Sequence, residues 1–598
     1  MCGICGVFNF SNQKIESQKI DNLLEPLIQR GPDSTGILLK DNIAFGHARL
    51  KVIDTSYRSN QPLIDMDLGL MITFNGCIYN YMKLKKKLLQ FGYNFFSDGD
   101  TEVILKAWHK WGYKSLEMLD GDFAFAIWNF NKKELYLGRD RLGVKPLYFT
   151  QNDNEIIFSS NIQSLLKVPE TSKIINKKSL QFFLTLHSIV PPPNTIIKDI
   201  QKLPPATIYT INEQGILKKK TYWETKYRNL KTKNNGKHDS ASLEKKLEKL
   251  LLKATKKRMV SDIPVGVLLS GGLDSSLLVE FMSQLSSEPI KTFSIGFEGI
   301  DSKIGNEFYY SDYIVDKYNT DHTKIIIDNK TLYNNLWDTI KAMSEPMVSY
   351  DNIAFYLLSK TVSDITGVVL SGQGADELFG GYHWHQKKFN KQNISDDYAK
   401  YFFDRSHGEL LCLLQRKWSI VDKDIVLHFI DKFFKKHSTL SPLEKVFTID
   451  GNLMLSGDPV KRIDNMTMAW GVEARVPFLD KDIINFASKI PSKLKIKDGG
   501  KGILKSIASK YFPHEFVYRE KGYFPVPALK YLDEPFLGLI KKILFSNNAK
   551  KRNLYNLRYV DKLLKNPQKY ITPVGGAELW QITILEMWLQ IHIDNIER

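Results

Sequence analysis

Two segments of this chain share one design, and together they restrict its fold more than any other feature. Residues 265–276 form a short apolar run that ends in Ser270-Gly271-Gly272-Leu273-Asp274-Ser275-Ser276. Residues 368–382 repeat the plan, with Val-Val-Leu followed by Ser371-Gly372-Gln373-Gly374-Ala375-Asp376-Glu377. Each reads as a buried strand, a glycine turn and a helix start. Apolar runs of this kind (292–297 is another) alternate with amphipathic stretches such as 242–258, the pattern of a parallel α/β sheet with helical crossovers. The turns that follow parallel strands gather at one edge of such a sheet and bind ligands there. Glycines let backbone amides approach an anion closely, and the serine hydroxyls add donors. Asp274 would repel a phosphate unless it held a cation, and Asp376 is placed to share that cation or the pyrophosphate; Mg²⁺ is the expected ion. The lysine of a G-x-x-x-x-G-K-[ST] loop is missing, so this is a different phosphate cradle.

Residues 1–210 have another texture. Apolar stretches such as 69–74 and 122–128 are punctuated by Gly, Asn and Asp, which predicts a sheet-rich α+β domain. Prolines at 191–193 and 204–205 mark loops near its end. A polar linker is expected over 211–240, leaving 241–598 to the α/β half.

The chain opens Met1-Cys2-Gly3-Ile4-Cys5-Gly6. Removal of the initiator methionine makes Cys2 the first residue, so that its own α-amine can act as base for its thiol. The amine titrates near pH ~8 and the thiol near ~8.5, which matches them for proton transfer. Cys2, Cys5, Cys77 and Cys412 form neither a disulfide framework nor a zinc pattern, which favours a reducing cytoplasm. No apolar run approaches the ~18 residues of a membrane span, and no signal peptide is expected. The net charge is +17, but lysine runs such as 85–87 and 218–220 lack interleaved aromatics. A solvated basic surface that draws anionic small molecules is favoured over nucleic-acid binding.

With these residues in hand, the chain resembles the asparagine synthetase family of glutamine-dependent amidotransferases. The resemblance runs nearly end to end. It implies an N-terminal-nucleophile (class II) glutaminase domain followed by a PP-loop ATP pyrophosphatase domain. The first makes ammonia, and the second adenylates a carboxylate that tunnelled ammonia then amidates. It implies Cys2 as nucleophile, Arg49 (in 46–50) on the glutamine carboxylate, Asn75 and Gly76 as oxyanion hole, and Asp100 on the glutamine ammonium. Arg30-Gly31-Pro32-Asp33 and the stretch 139–148 also match the family. In the second half, Leu268, Ser270, Gly271, Gly272, Asp274 and Ser275 match the pyrophosphate loop. Ile295 matches an adenine contact, Ser371 and Gly372 a nucleotide contact, and 464–480 a helix-and-loop signature. Lys501 and Lys521 match basic positions near the triphosphate, where an ammonium neutralises charge as the acceptor attacks. ATP and Mg²⁺ follow as cofactors, and a homodimer by family analogy.

Two departures bear on the acceptor. The family commonly has Asn-Gly-Glu where this chain has Asn75-Gly76-Cys77, so that Asp100 carries more of the ammonium. Many members have Ser-Gly-Glu-Gly where this chain has Ser371-Gly372-Gln373-Gly374, which counts against aspartate. Stretches 187–194, 343–352, 458–470 and 521–529 resemble the N-acetylglutaminylglutamine amidotransferase branch, which amidates an acetylated dipeptide to make an osmoprotectant. That dipeptide is the favoured acceptor. Aspartate and a sugar acid are the alternatives, and a binding protein with a dead site is the reading from another class.

Overall fold

A computed structural model of the chain describes residues 2–225, 240–299, 307–520, 522 and 526–597. The N-terminal half holds two six-stranded sheets. The first runs β10 (Gln201–Lys202), β8 (Tyr148–Gln151), β9 (Glu155–Ser159), β1 (Gly3–Asn9), β3 (Ile43–Arg49), β2 (Ser34–Lys40). The second runs β12 (Leu217–Thr221), β11 (Thr207–Ile211), β7 (Glu134–Arg139), β6 (Gly121–Asn129), β5 (Leu70–Ile78), β4 (Leu63–Asp65). Every pairing in both is antiparallel.

Strand alternation explains how they stack. Ile4 and Phe8 of β1, Phe45 of β3, Met71 of β5, and Ala124, Ala126 and Trp128 of β6 belong to one apolar cluster between the sheets. The intervening residues face outward. Cys5 and Val7 pack with the helix Ser17–Leu24, and Ile72, Phe74, Phe123 and Phe125 pack with residues of the helices Tyr81–Gln90 and Asp100–Trp111. A period of two thus gives each sheet two apolar faces and the domain four layers, helix–sheet–sheet–helix.

The C-terminal half is built on a five-stranded sheet, β15 (Asp321–Ile327), β14 (Lys291–Phe297), β13 (Val265–Leu268), β16 (Val368–Leu370), β17 (Glu473–Arg475), with all pairings parallel. The two glycine loops follow β13 and β16, which lie side by side. Their strand–turn–helix form agrees with the sequence: the helix Leu273–Ser283 starts after the first loop and Ala375–Phe379 after the second. The helix predicted over 242–258 spans Ser240–Arg258. β17 is not foreshadowed, since Glu473-Ala474-Arg475 lacks a strand-like apolar pattern.

The expected 211–240 linker needs correction at its start. β12 occupies 217–221 and extends the second sheet. Its Leu-Lys-Lys-Lys-Thr sequence reads as solvated chain because it is an edge strand, exposed and paired only to β11. Most of the remaining linker, 226–239, lies outside the described residues.

Buried and half-buried ion pairs join the two halves. Arg30 meets Asp464 at 2.9 Å, Lys202 meets Glu345 at 2.9 Å, and Lys257 meets Asp120 at 2.7 Å. Arg258 lies 4.0 Å from Asp122. Breaking one such pair from one side leaves an uncompensated buried charge and costs about 3–5 kcal/mol, so the halves are held in a fixed relation. Among the described residues no helix is long and apolar enough to cross a membrane.

Candidate active sites

The first site lies where β1 begins and β3 and β5 end. Cys2 precedes β1 on the side of Ile4, facing between the sheets. Asn75 shares the inward-facing side of β5 with Met71 and Cys77. The Cys2 backbone N–H donates to Asn75 Oδ1 at 3.1 Å. Asn75 is fully buried, and its Nδ2 has no hydrogen-bond partner. A buried amide without an acceptor carries a desolvation cost, which a negatively charged oxygen would remove. Gly76 has φ +153°, and a Cβ there would lie 2.2 Å from the Asp122 carbonyl oxygen, so the position admits only glycine.

Arg49 ends β3 and is clamped by the loop that follows it. It donates to the Ser56 carbonyl at 2.7 Å, to Asn60 Oδ1 at 2.6 Å and to the Asp54 carbonyl. Asp100 opens the helix Asp100–Trp111, and its Oδ2 accepts from the Ile78 N–H at 2.9 Å. Burial pushes its carboxyl up to about 6, and the Glu473 charge adds to the shift. Burial also raises the Cys2 thiol, against the pull of a Leu50 backbone hydrogen bond and Arg49, so a base is required for attack. Cys2, Arg49, Gly76 and Asp100 line one cavity, and Glu473 and Arg475 of β17 line it as well. Burial keeps the thiol of Cys77, in the same cavity, protonated.

The stretch 139–148 is structural. Arg139 donates to the carbonyls of Lys145, Leu203 and Gly143 at 2.6–2.8 Å, and Asp140 accepts from three backbone amides of the turn at 2.9–3.0 Å. Arg30 bridges the halves. Its Nε reaches the Cys2 carbonyl at 3.4 Å while NH2 holds Asp464.

The second site is formed by the two loops. Gly271 has φ +74°, and a Cβ would press within 2.9 Å of Tyr310 and Ser311. Ser270 Oγ lies 3.2 Å from Ser275 Oγ and accepts from the Gly272 N–H at 3.3 Å. Leu268 and Ile295 are buried on adjacent strands. From the second loop the Ser371 N–H donates to the Arg475 carbonyl at 2.8 Å, and Gly372 approaches Asp274 so closely that a Cβ would be 2.9 Å from it. Gln373 is half-buried between them and the helix Ala375–Phe379. Lys501 Nζ lies between the two acids, 2.5 Å from Asp274 Oδ2 and 2.8 Å from Asp376 Oδ1. Burial works against its charge, but the two carboxylates outweigh burial and raise its pKa. Lys521 lies outside the described residues.

Two groups of residues escape a sequence reading. Arg519 donates to the Gly271 carbonyl at 3.1 Å and stacks 3.7 Å over Tyr310, a cation at the phosphate loop with no motif to mark it. Glu473 and Arg475 sit in a recognisable stretch, but nothing local shows that they reach the Cys2 cavity.

The geometry defines a class: an N-terminal-nucleophile glutaminase fused to a PP-loop, ATP-using synthetase. A family model described as asparagine synthase matches residues 246–590, and one described as glutamine amidotransferase domain matches 1–223. The chain belongs to the asparagine synthetase family, the glutamine-hydrolysing ligases with amidotransferase activity. It is 30% identical to asparagine synthetase [glutamine-hydrolyzing] 1 of Bacillus subtilis, across 100% of this chain and 97% of the relative. It is 28% identical to enzyme 3 of the same organism (99% and 98% covered) and 27% identical to asparagine synthetase B of Escherichia coli (88% and 82% covered).

Proposed function

We propose that this chain hydrolyses glutamine at Cys2 and transfers the ammonia to an acceptor carboxylate activated by ATP. The observation that carries the reading is the buried, unpartnered Asn75 amide beside Cys2, in a chain whose second half holds the paired phosphate loops. The Cys2 thiol passes its proton to the α-amine and attacks the glutamine amide carbon. Asn75 Nδ2 and the Gly76 N–H receive the oxyanion, ammonia leaves, and water releases glutamate from the thioester. In the second half a carboxylate oxygen attacks the α-phosphorus of ATP and pyrophosphate departs. Ammonia then attacks the acyl carbon and displaces AMP. Lys501 and the loop amides oppose the charge that builds on the phosphates.

Asp274 and Asp376 suit Mg²⁺. They already converge on one cation, and Mg²⁺ commonly takes one or two carboxylates and completes its shell with phosphate oxygens. When bound, the ion would screen the leaving pyrophosphate.

Aspartate is the acceptor that the names of the relatives support. The acetylated glutamine dipeptide is the second reading, favoured by Gln373, a neutral amide where aspartate-using members carry a glutamate. Pyrophosphate release with Mg-ATP and glutamine, measured with each acceptor in turn, separates them. Stimulation by aspartate alone removes the dipeptide reading, and stimulation by the dipeptide alone removes aspartate.

A further inference from the structure

Glutamine enters its site as a zwitterion, and each end needs an opposite charge. Arg49 serves the carboxylate. For the ammonium the cavity beside Cys2 offers two carboxylates, from different halves of the chain. Asp100 comes from the glutaminase domain and Glu473 from β17 of the synthetase sheet, and both are buried. Cys77 lies on the same face of β5 as Asn75 and contributes no charge.

Glu473 is held in place. Its Oε1 accepts from Arg475 Nε at 2.6 Å. Arg475 is itself fixed, with NH1 donating to the carbonyls of Arg258 and Val260 at 2.7 and 2.6 Å. The Arg475 guanidinium also lies 5.7 Å over the Tyr79 ring, next to the second sheet. The pair is thus a rigid unit inserted from one domain into the other's pocket. Burial would push the Glu473 carboxyl up, but Arg475 holds it down at about 2, so it stays anionic.

We infer that Glu473 is the second anionic anchor for the glutamine ammonium, and that the synthetase domain completes the glutaminase site. Asp100 binds one side of the ammonium and Glu473 the other. Glu473 supplies the carboxylate that position 77 lacks. It is a substrate-positioning residue and takes no part in thioester formation. The inference rests on Cys2 being the glutamine site.

The test is steady-state glutaminase kinetics. Glu473→Gln should raise KM for glutamine at least tenfold with a much smaller change in kcat, and adding Cys77→Glu should recover most of that rise. An unchanged KM, or a rise that Cys77→Glu does not reverse, overturns the inference. Should Glu473→Gln fail to fold, Asp100→Asn provides a second measurement. It should still bind glutamine more tightly than 4-carbamoylbutanoate, the same molecule without its amine, because Glu473 remains. Equal binding of the two overturns the inference. Failure of the underlying reading looks different: Cys2→Ala would keep its glutamine-dependent activity.

Discussion

Replacing Asn75 with alanine is the sharpest test of the first site. The side chain has two roles there. Its Oδ1 accepts from the Cys2 N–H at 3.1 Å, and its Nδ2 is the buried donor without a partner. Loss of one oxyanion donor costs about 2.7–4 kcal/mol in the transition state, a 10²–10³-fold fall in kcat. Loss of the bond to Cys2 adds about 1 kcal/mol. Glutamine-dependent kcat should therefore fall between several hundred-fold and several thousand-fold. Glutamate release from glutamine measures the first half-reaction, and pyrophosphate release with ammonium chloride as nitrogen source measures the second. The ammonia-dependent rate should stay within about twofold, because the hydrogen bond that Asn75 makes is to Cys2 of the first site. Asn75→Asp is the stricter control: it keeps the acceptor for Cys2 and sets a negative charge where the oxyanion forms, so it should be at least as damaging. A fall of less than tenfold with glutamine in both variants would refute the oxyanion assignment. An equal loss with ammonia would refute the division of labour.

Further outcomes follow from other parts of the structure. Gly76→Ala forces a Cβ against the Asp122 carbonyl at 2.2 Å and should abolish glutaminase activity, with a shift of β5 visible by crystallography. Lys501→Met removes the ammonium that Asp274 and Asp376 both meet and should lower pyrophosphate formation about 10²-fold with either nitrogen source, read by the same release assay. Asp100 has its carboxyl raised to about 6, so it loses its charge as pH falls through 6. Calorimetric glutamine binding to a Cys2→Ala protein should weaken over that range, and Asp100→Asn should flatten the dependence. Asp464→Asn strips Arg30 of its buried partner and should cost about 3–5 kcal/mol where the halves meet, seen as a lower denaturant midpoint and less product per glutamine consumed.

The phosphate loops were legible because glycine turns after apolar strands leave a local record. The Cys2, Arg49 and Asn75-Gly76 positions were legible through motifs in order along the chain. What was not legible is long-range. Glu473 is 471 positions from Cys2, and only the packing of β17 beside β16 carries it to that cavity. Arg519 acts at the phosphate loop through a side chain with no local pattern. β12 was hidden because an exposed edge strand of lysines has no buried face to leave an apolar alternation. Asn75 was legible as a candidate oxyanion donor, but its bond to the Cys2 N–H is set only by the fold.

β17 has only three residues, yet it touches both candidate sites. Its backbone pairs with the strand beneath the second nucleotide loop and accepts from Ser371, while Glu473 and Arg475 line the cavity of Cys2. The seam between activities therefore does not coincide with the seam between folds. On the proposed roles, a recombinant that exchanges the N-terminal half at the family boundary near residue 223 would inherit half of the Cys2 cavity and need a matching β17 from the same parent. Under the proposed function, mutational drift in these three residues is answerable to two sites at once. Shuffling experiments on this architecture should treat residues 473–475 as cargo of the glutaminase, although they lie in the synthetase.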